Sequence, residues 1–95
     1  MQTIIIDGRN FSDVESFYSE VDLKLTKGLD WKTGHNLNAF IDLLCGGFGV
    51  FDYQEKIILE WINFSDSKTK LGKDFIDNVC SIVEDHQHII FVTQD

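Results

Sequence analysis

The sequence has no proline, only two cysteines and no long apolar run among its 95 residues. The absence of proline excludes proline-rich linkers. Cys45 and Cys80 fit neither a C-x-x-C pair nor a zinc-ligand spacing, which favours reduced, buried cysteines of an intracellular protein. No segment approaches the roughly 20 apolar residues of a membrane helix, and Asp7 interrupts the short apolar run after Met1, unlike a signal peptide. We therefore expect a soluble, cytoplasmic protein that does not bind a membrane.

Basic residues are also scarce. The chain has 8 lysines and arginines against 16 aspartates and glutamates, and its formal net charge is −8. Such a surface repels nucleic-acid phosphates, so direct binding to nucleic acid is not expected. The acidic excess has two open interpretations. It increases solubility, or it attracts a basic partner, because complementary charge speeds encounter and discriminates between partners.

The residues that are present are typical of a folded domain. The chain is 43% hydrophobic and 13% aromatic, which argues against disorder. A chain of this length buries roughly 60–70% of its extended surface, enough for a core without disulfides. It contains no internal repeat, low-complexity tract or linker, and we expect one domain over residues 1–95.

Three runs rich in β-branched and apolar residues predict strands. They are TIIID (3–7), KIILEW (56–61) and HIIFVT (88–93). The nearly continuous apolar character of KIILEW suggests burial on both faces of a sheet. The polar stretch NFSDSKTKLG (63–72) after it predicts a loop.

Apolar residues recur at intervals of three and four in three segments, which predicts three helices. In the first segment, Ser12 and Glu15 have the spacing of a capping box, so the helix should begin there. The second helix runs from about Asn36 to Cys45, and the third from about Lys73 to His86. The element order is therefore β-α-α-β-α-β. Because strands joined by helical crossovers pair in parallel, we predict an α/β fold with a small three-stranded parallel sheet packed with helices.

No catalytic set is recognisable. The sequence lacks G-x-S-x-G and a P-loop, and the GGFG stretch follows a helix instead of joining a strand to a helix. His86 and His88 form an H-x-H pair, but loop and strand-edge roles are favoured over a metal site. Glu60, inside an apolar strand, should lie at an exposed end or pair with a lysine or a backbone donor. We predict no catalytic residue, metal, cofactor or small-molecule substrate; a small enzyme using His86 or Glu60 is the least favoured hypothesis.

The stretch DWKTGHNLNAFIDLLCGG (30–47) carries the most local information. His35, Asn38 and Asp42 are spaced by three and four residues, so on a helix they share one face while the opposite face is apolar. This polar face is either plain solvated surface or a binding surface. Trp31 and Phe48 nearby favour binding, because a carboxylate with an apolar rim forms stronger charge pairs when a cation desolvates it.

The segment TGHNLNAFIDLLCGG, followed by IILEW, resembles the barstar family of intracellular ribonuclease inhibitors. The resemblance extends more weakly over the whole chain, since the predicted element order is also that of the family. The residues that match the family pattern are Gly34, Asn36, Leu37, Ala39, Asp42, Leu44, Gly46, Glu60 and Trp61.

The resemblance implies a ribonuclease inhibitor that blocks a basic nuclease active site with this helix and the loop before it. Asp42 would take the place of an RNA phosphate and be the principal anchor, and Asn38 occupies a second acidic position of the pattern. A further acidic contact on the last helix falls at Glu84 or Asp85. The residues expected to contact the partner are Trp31, Lys32, Gly34, His35, Asn36, Leu37, Asn38, Ile41, Asp42, Gly46, Phe48 and Glu84.

Departures from the family pattern define the alternative. Asn38 replaces an aspartate, and Lys32 and Thr33 stand where the family tends to have tyrosines. A lysine there would repel a basic active site. These changes point to a weaker inhibitor or a different nuclease partner, and they motivate the alternative hypothesis of a barstar-fold binding module whose partner is not a ribonuclease. The leading hypothesis remains a ribonuclease inhibitor, with an immunity protein for a co-produced nuclease toxin as one form of it.

Overall fold

The computed structural model describes residues 1–27 and 34–95. Within these residues, three strands and four helices follow one another. They are β1 (Gln2–Asp7), α1 (Val14–Leu25), α2 (Leu37–Cys45), β2 (Ile57–Ile62), α3 (Phe64–Leu71), α4 (Lys73–Glu84) and β3 (Ile89–Thr93).

The three strands form one parallel sheet in the order β1-β2-β3. Ile4 pairs with Leu59, and Leu59 pairs with Phe91, so the side chains of these three residues point to the same face of the sheet. The predicted α/β fold with a three-stranded parallel sheet is confirmed. Its crossovers are α1 with α2 between β1 and β2, and α3 with α4 between β2 and β3.

The sheet is buried on one face, and the prediction of burial on both faces is wrong. Along β2, Ile57, Leu59 and Trp61 are buried, whereas the residues between them are only partly covered. On the neighbouring strands Ile5 and Ile90 are exposed on that second face. The apolar run of β2 therefore reflects strand propensity at its outward positions as well as burial at its inward ones.

Glu60 lies on the partly covered face, in the middle of β2. Its Oε2 accepts a hydrogen bond from Nε2 of Gln94 at 2.8 Å. The predicted position at a strand end is wrong, and among residues 1–27 and 34–95 the carboxylate bonds to no lysine or backbone donor, contrary to the prediction. The incomplete cover on that face leaves the carboxylate partly solvated, so it does not need such a partner.

Residues 64–71 form a helix where a polar loop was predicted. Only Phe64 and Ser67 of α3 are buried, so its apolar stripe is too sparse to give a helical period. Its N-cap residue, Asn63, has φ of 53° and makes no capping bond; its side-chain amide bonds to Asp7 instead, at 2.8 Å. Tertiary contacts therefore hold this helix, which explains why the local pattern did not reveal it.

The first helix begins one residue later than the S-x-x-E spacing predicted. Asp13, not Ser12, is the N-cap: its carboxylate accepts a bond from the Ser16 amide at 2.8 Å, and the Ser16 hydroxyl accepts one from the Asp13 amide at 3.1 Å. A reciprocal pair of this kind satisfies two backbone donors of the first turn. Glu15 is consequently released from capping and turns to another partner, His35.

An aromatic cluster around Trp61 forms the centre of the core. Trp61 is fully buried, as predicted, and stacks on Phe17 with ring centroids 5.5 Å apart. Phe11 and Phe64 meet its ring edge-on. Its indole Nε1 donates to the fully buried Ser67 hydroxyl at 2.9 Å, so α3 supplies the one polar partner that this side chain needs.

Replacing Ser67 with alanine is expected to lower the free energy of unfolding by about 1–3 kcal/mol, because the buried indole N–H of Trp61 is left without an acceptor. Urea denaturation followed by tryptophan fluorescence measures the change. Ser65→Ala is the matched control, because Ser65 is exposed on the same helix, and it should change stability by less than about 0.5 kcal/mol. Equal losses in the two variants would contradict the role assigned to Ser67.

Cys45 and Cys80 are free thiols, each half-buried. Burial raises the pKa of the Cys80 thiol, which keeps it protonated. Within residues 1–27 and 34–95, no helix has the length and apolar character needed to cross a bilayer.

Candidate functional site

Helix α2 has a buried face and an exposed face. Phe40, Leu43 and Leu44 enter the core. The exposed face consists of Asn38, Ile41 and Asp42; we call it the outer face of α2. Asn38 precedes Ile41 by three residues and Asp42 by four, so it neighbours both on the helix surface. Ile41 is 37% exposed, so the outer face presents an apolar side chain as well as the carboxylate of Asp42.

The Asp42 side chain is exposed, and it makes no hydrogen bond or ion pair within the described residues. The buried residues of α2 hold the helix in place, so the carboxylate of Asp42 has a fixed position without a partner among the described residues. An ionised carboxylate accepts bonds through two oxygens and can engage a guanidinium in a bidentate manner. Asp42 is therefore free to pair with a cationic partner.

The N-terminal end of α2 is fixed by Asn36. Its side-chain Oδ1 accepts a hydrogen bond from the Ala39 amide at 2.8 Å, which caps the first turn. The Oδ1 of Asn36 therefore serves the helix itself, and Asn38 is the first exposed residue within α2. Gly34, two residues before the cap, is also exposed.

The spacing predicts that His35 shares one face with Asn38 and Asp42, and the structure shows that it does not. It precedes the N-cap, and its ring is turned toward α1, where Nδ1 contacts the Glu15 carboxylate and Nε2 lies 2.9 Å from Oδ2 of Asp22. The helical spacing argument failed because the helix begins only at Leu37. The two carboxylates raise the pKa of His35, and the largest effect comes from the hydrogen bond that the ring donates to Glu15.

The C-terminal end of α2 passes into a tight loop. Gly46 has φ of 90° and ψ of −175°, and Gly47 donates its amide to the Phe51 carbonyl at 2.9 Å. The loop is attached to the end of α1 through the Lys27 amide, which bonds to the Phe48 carbonyl at 2.8 Å. Gly46 is buried beneath Phe51, so the structure gives it a role in shaping the loop and leaves little of it for a partner to contact.

The stretch FGVFDYQE (48–55) predicts a loop with exposed aromatic residues, and this holds fully for Tyr53 alone, since Phe51 is buried and Phe48 half-buried. Tyr53 is 70% exposed, and a Cβ added at Gly47 would lie 3.9 Å from the Tyr53 Cβ. Tyr53 is not among the predicted contact residues, because burial within the loop follows no period that would single it out. The same loop forms an acidic cleft of about 240 Å³, lined by Gly47, Gly49, Val50, Phe51, Asp52 and Glu55.

Glu84 ends α4, a helix that packs against α2, and it is exposed, as is the neighbouring Asp85. Four residues after Glu84, the buried ring of His88 lies with Nε2 2.8 Å from the Leu44 carbonyl near the end of α2. Glu84 thus belongs to a segment that is bonded directly to the helix of interest.

His86 and His88 have structural partners. His86 Nδ1 lies 2.7 Å from the Ile82 carbonyl, and His88 bonds to Leu44 as described. Each ring thus has one nitrogen engaged by a backbone carbonyl, which fits the favoured structural interpretation. His88, however, is buried before β3 and is not an exposed edge residue.

The structure places most of the predicted contact residues around α2. Trp31 and Lys32 lie outside the described residues. The others are exposed (Gly34, Asn36, Asn38, Ile41, Asp42 and Glu84), half-buried (His35, Leu37 and Phe48) or buried (Gly46). Their contacts with a partner remain predictions.

Comparison with known proteins gives one family. No curated protein sequence matches this chain. The family model described as barstar, the barnase inhibitor, matches residues 1–91 of the 95 residues. Members of that family inhibit ribonucleases and are not enzymes. The match covers all four helices described above, strands β1 and β2 and the first part of β3, and the chain therefore belongs to the barstar family.

Proposed function

We propose that this protein inhibits a basic ribonuclease by inserting the outer face of α2 into the nuclease active site. The observation that carries the proposal is the Asp42 carboxylate, which is exposed on a well-anchored helix with no ion pair or hydrogen bond in the part of the chain described here. Family membership supports the same function at a coarser level.

The chemistry of Asp42 suits a phosphate-binding cleft. A ribonuclease holds an RNA phosphate with cationic side chains, and a carboxylate presents a similar pair of charged acceptor oxygens to them. Such bonds become strong when water is excluded around them. Ile41 beside Asp42 and the exposed ring of Tyr53 beyond the helix supply apolar surface for this exclusion.

The net charge of −8 supports recognition of a basic partner. Opposite charges steer two proteins together over distances of a Debye length, an effect for which barnase with barstar is a standard example. No bond is broken in this mechanism, and the protein is proposed to act as a plug and not as an enzyme. An immunity role toward a nuclease toxin made by the same cell would be one setting for it.

Added salt is expected to weaken the complex mainly by slowing association. Raising the ionic strength shortens the Debye length from roughly 30 Å at 0.01 M to roughly 8 Å at 0.15 M, so the association rate with barnase should fall by about tenfold or more. Stopped-flow or surface-based kinetics over this range provides the test. A salt dependence carried only by the dissociation rate would contradict steering by the acidic surface.

Asn38 favours a second candidate, a barstar-fold module with a partner other than a ribonuclease. It is exposed on the outer face of α2 at a position where the family pattern is acidic, and it carries no charge. If the partner is a ribonuclease, Asn38→Asp should increase affinity for barnase by restoring a charge. The second candidate would be favoured if the wild-type protein captured a partner that is not a nuclease and the Asp42→Ala variant did not bind that partner.

A further inference from the structure

His35 is held between two carboxylates of α1. Its Nδ1 contacts Glu15 and its Nε2 lies 2.9 Å from Oδ2 of Asp22, and the ring stacks on Tyr18 with centroids 5.9 Å apart. Neutral imidazole has one N–H, so it can donate to only one of these acceptors. Both contacts are favourable together only in the imidazolium form, whose two N–H groups face the two carboxylates.

This pairing joins α1 to the beginning of α2. His35 directly precedes Asn36, the N-cap whose side chain holds the first turn of α2 through Ala39. Only 19% of the His35 side chain is exposed, so it is a packed element of the junction and not a loose surface residue. The N-terminal end of the helix that carries Asp42 is thereby tied to α1 by charge.

We propose that His35 is a positioning residue: its protonated ring, clamped by Glu15 and Asp22, fixes the first turn of α2 and so makes partner binding dependent on pH. The inference rests on the proposed function, because the helix that His35 positions is the one proposed to enter the nuclease. His35 acts through the placement of α2 and not by touching the nuclease.

The charged groups around the ring determine the direction of the effect. Glu15 and Asp22 face it from α1, together with the Tyr18 ring, whose own hydroxyl pKa is raised by burial. From the α2 side, the adjacent Asn36 and Leu37 carry no charge. The pKa of His35 is raised above its ordinary value of 6.5, first by the hydrogen bond that the ring donates to Glu15. The stabilisation of the folded state by the bonds of His35 to Glu15 and Asp22 is therefore complete below pH 6.5, and it is lost as the pH rises through the raised pKa of His35 in the folded state.

The first experiment needs no partner. Imidazole titration by NMR in the free protein should give His35 a pKa above 6.5, and the amides of residues 37–40 should shift with the same midpoint. Glu15→Gln keeps a hydrogen-bonding side chain but removes one charge, and it should lower that midpoint. Asp66→Asn, an equal charge change at an exposed position of α3, should not. An ordinary His35 pKa, or amides that ignore its titration, would overturn the inference.

The second experiment measures the affinity of the wild-type protein and of His35→Gln for barnase between pH 5.5 and 9. The pH values are chosen around the His35 midpoint found in the first experiment, and the result is the ratio of the two affinities at each pH. The ratio cancels the titration of the nuclease. It should be about threefold at low pH, as for the loss of one partly exposed ion pair, and approach one at high pH, where the neutral ring can donate to only one of the two carboxylates. Glu15→Gln should reduce the low-pH advantage. A ratio that does not change with pH would overturn the positioning role. If neither protein binds barnase or related nucleases, this would count against the proposed function, and the NMR titration would then decide whether His35 is held by the two carboxylates.

Discussion

Replacing Asp42 with alanine is expected to weaken binding to the inhibited ribonuclease by at least ~100-fold, or on the order of 3 kcal/mol, as for central charged residues of tight interfaces. The loss has two parts. The complex loses a charge-assisted bond, and the cationic groups of the nuclease are left desolvated without a counter-charge. Inhibition constants for RNA cleavage, with barnase as the probe, measure the change.

Two controls separate this role from charge and from folding. Asp66→Ala removes the same charge from an exposed position of α3 and should weaken inhibition only slightly, through slower association. Asp42→Ala should also leave stability within about 0.5 kcal/mol, because Asp42 has no intramolecular bond among the residues described. Equal losses of inhibition in the two variants would reduce the mechanism to general electrostatic attraction.

Replacing Gly46 with alanine is expected to have the largest effect on stability, a loss of about 3–5 kcal/mol in the free energy of unfolding. Its backbone, with φ of 90° and ψ of −175°, lies in a region that other residues adopt only at a cost of about 1–3 kcal/mol. The added Cβ would also lie 2.4 Å from the Asp52 carbonyl oxygen and 2.7 Å from the Phe51 ring. Since the backbone oxygen cannot move away as a flexible side chain would, the loop after α2 must shift.

Gly72→Ala is the matched control for Gly46→Ala. Gly72 has a similar backbone conformation, with φ of 88° and ψ of 152°, but a Cβ there would meet nothing within 4 Å. It should therefore show the conformational cost alone, about 1–3 kcal/mol. Denaturant unfolding of both variants gives the two values. A Gly46 variant no less stable than the Gly72 variant would contradict the steric account of the loop.

The parts of this fold that could be predicted from sequence are those with a strong local apolar pattern. All three strands and helices α1, α2 and α4 were located to within about two residues, because the strands are runs of β-branched and apolar residues and the helices repeat their apolar residues every three to four positions. Helix α3 was missed since only Phe64 and Ser67 face the core, and its polar remainder resembles a loop. Burial across the sheet was also overestimated, because an isoleucine at an outward strand position, such as Ile5, looks the same as one facing the core.

For the candidate site, spacing identified the exposed face but not the connections between helices. The exposure of Asn38 and Asp42 follows from the period of α2 and agrees with the prediction that they face outward. The contacts of His35 with Glu15 and Asp22 join residues 20 and 13 positions apart, and no local pattern encodes them. The sequence indicates exposed aromatic residues in the loop but not that Tyr53 is the exposed one, since this depends on how an irregular loop folds back on Gly47.

Competition with a mononucleotide tests the central claim most directly. If Asp42 occupies the phosphate site of the nuclease, a 3′-mononucleotide bound there must leave before this protein can bind. The apparent affinity for barnase or a related basic ribonuclease should then fall in proportion to nucleotide occupancy, and inhibition of RNA cleavage should be competitive. A ternary complex of nuclease, nucleotide and this protein, with affinity unchanged, would contradict the account.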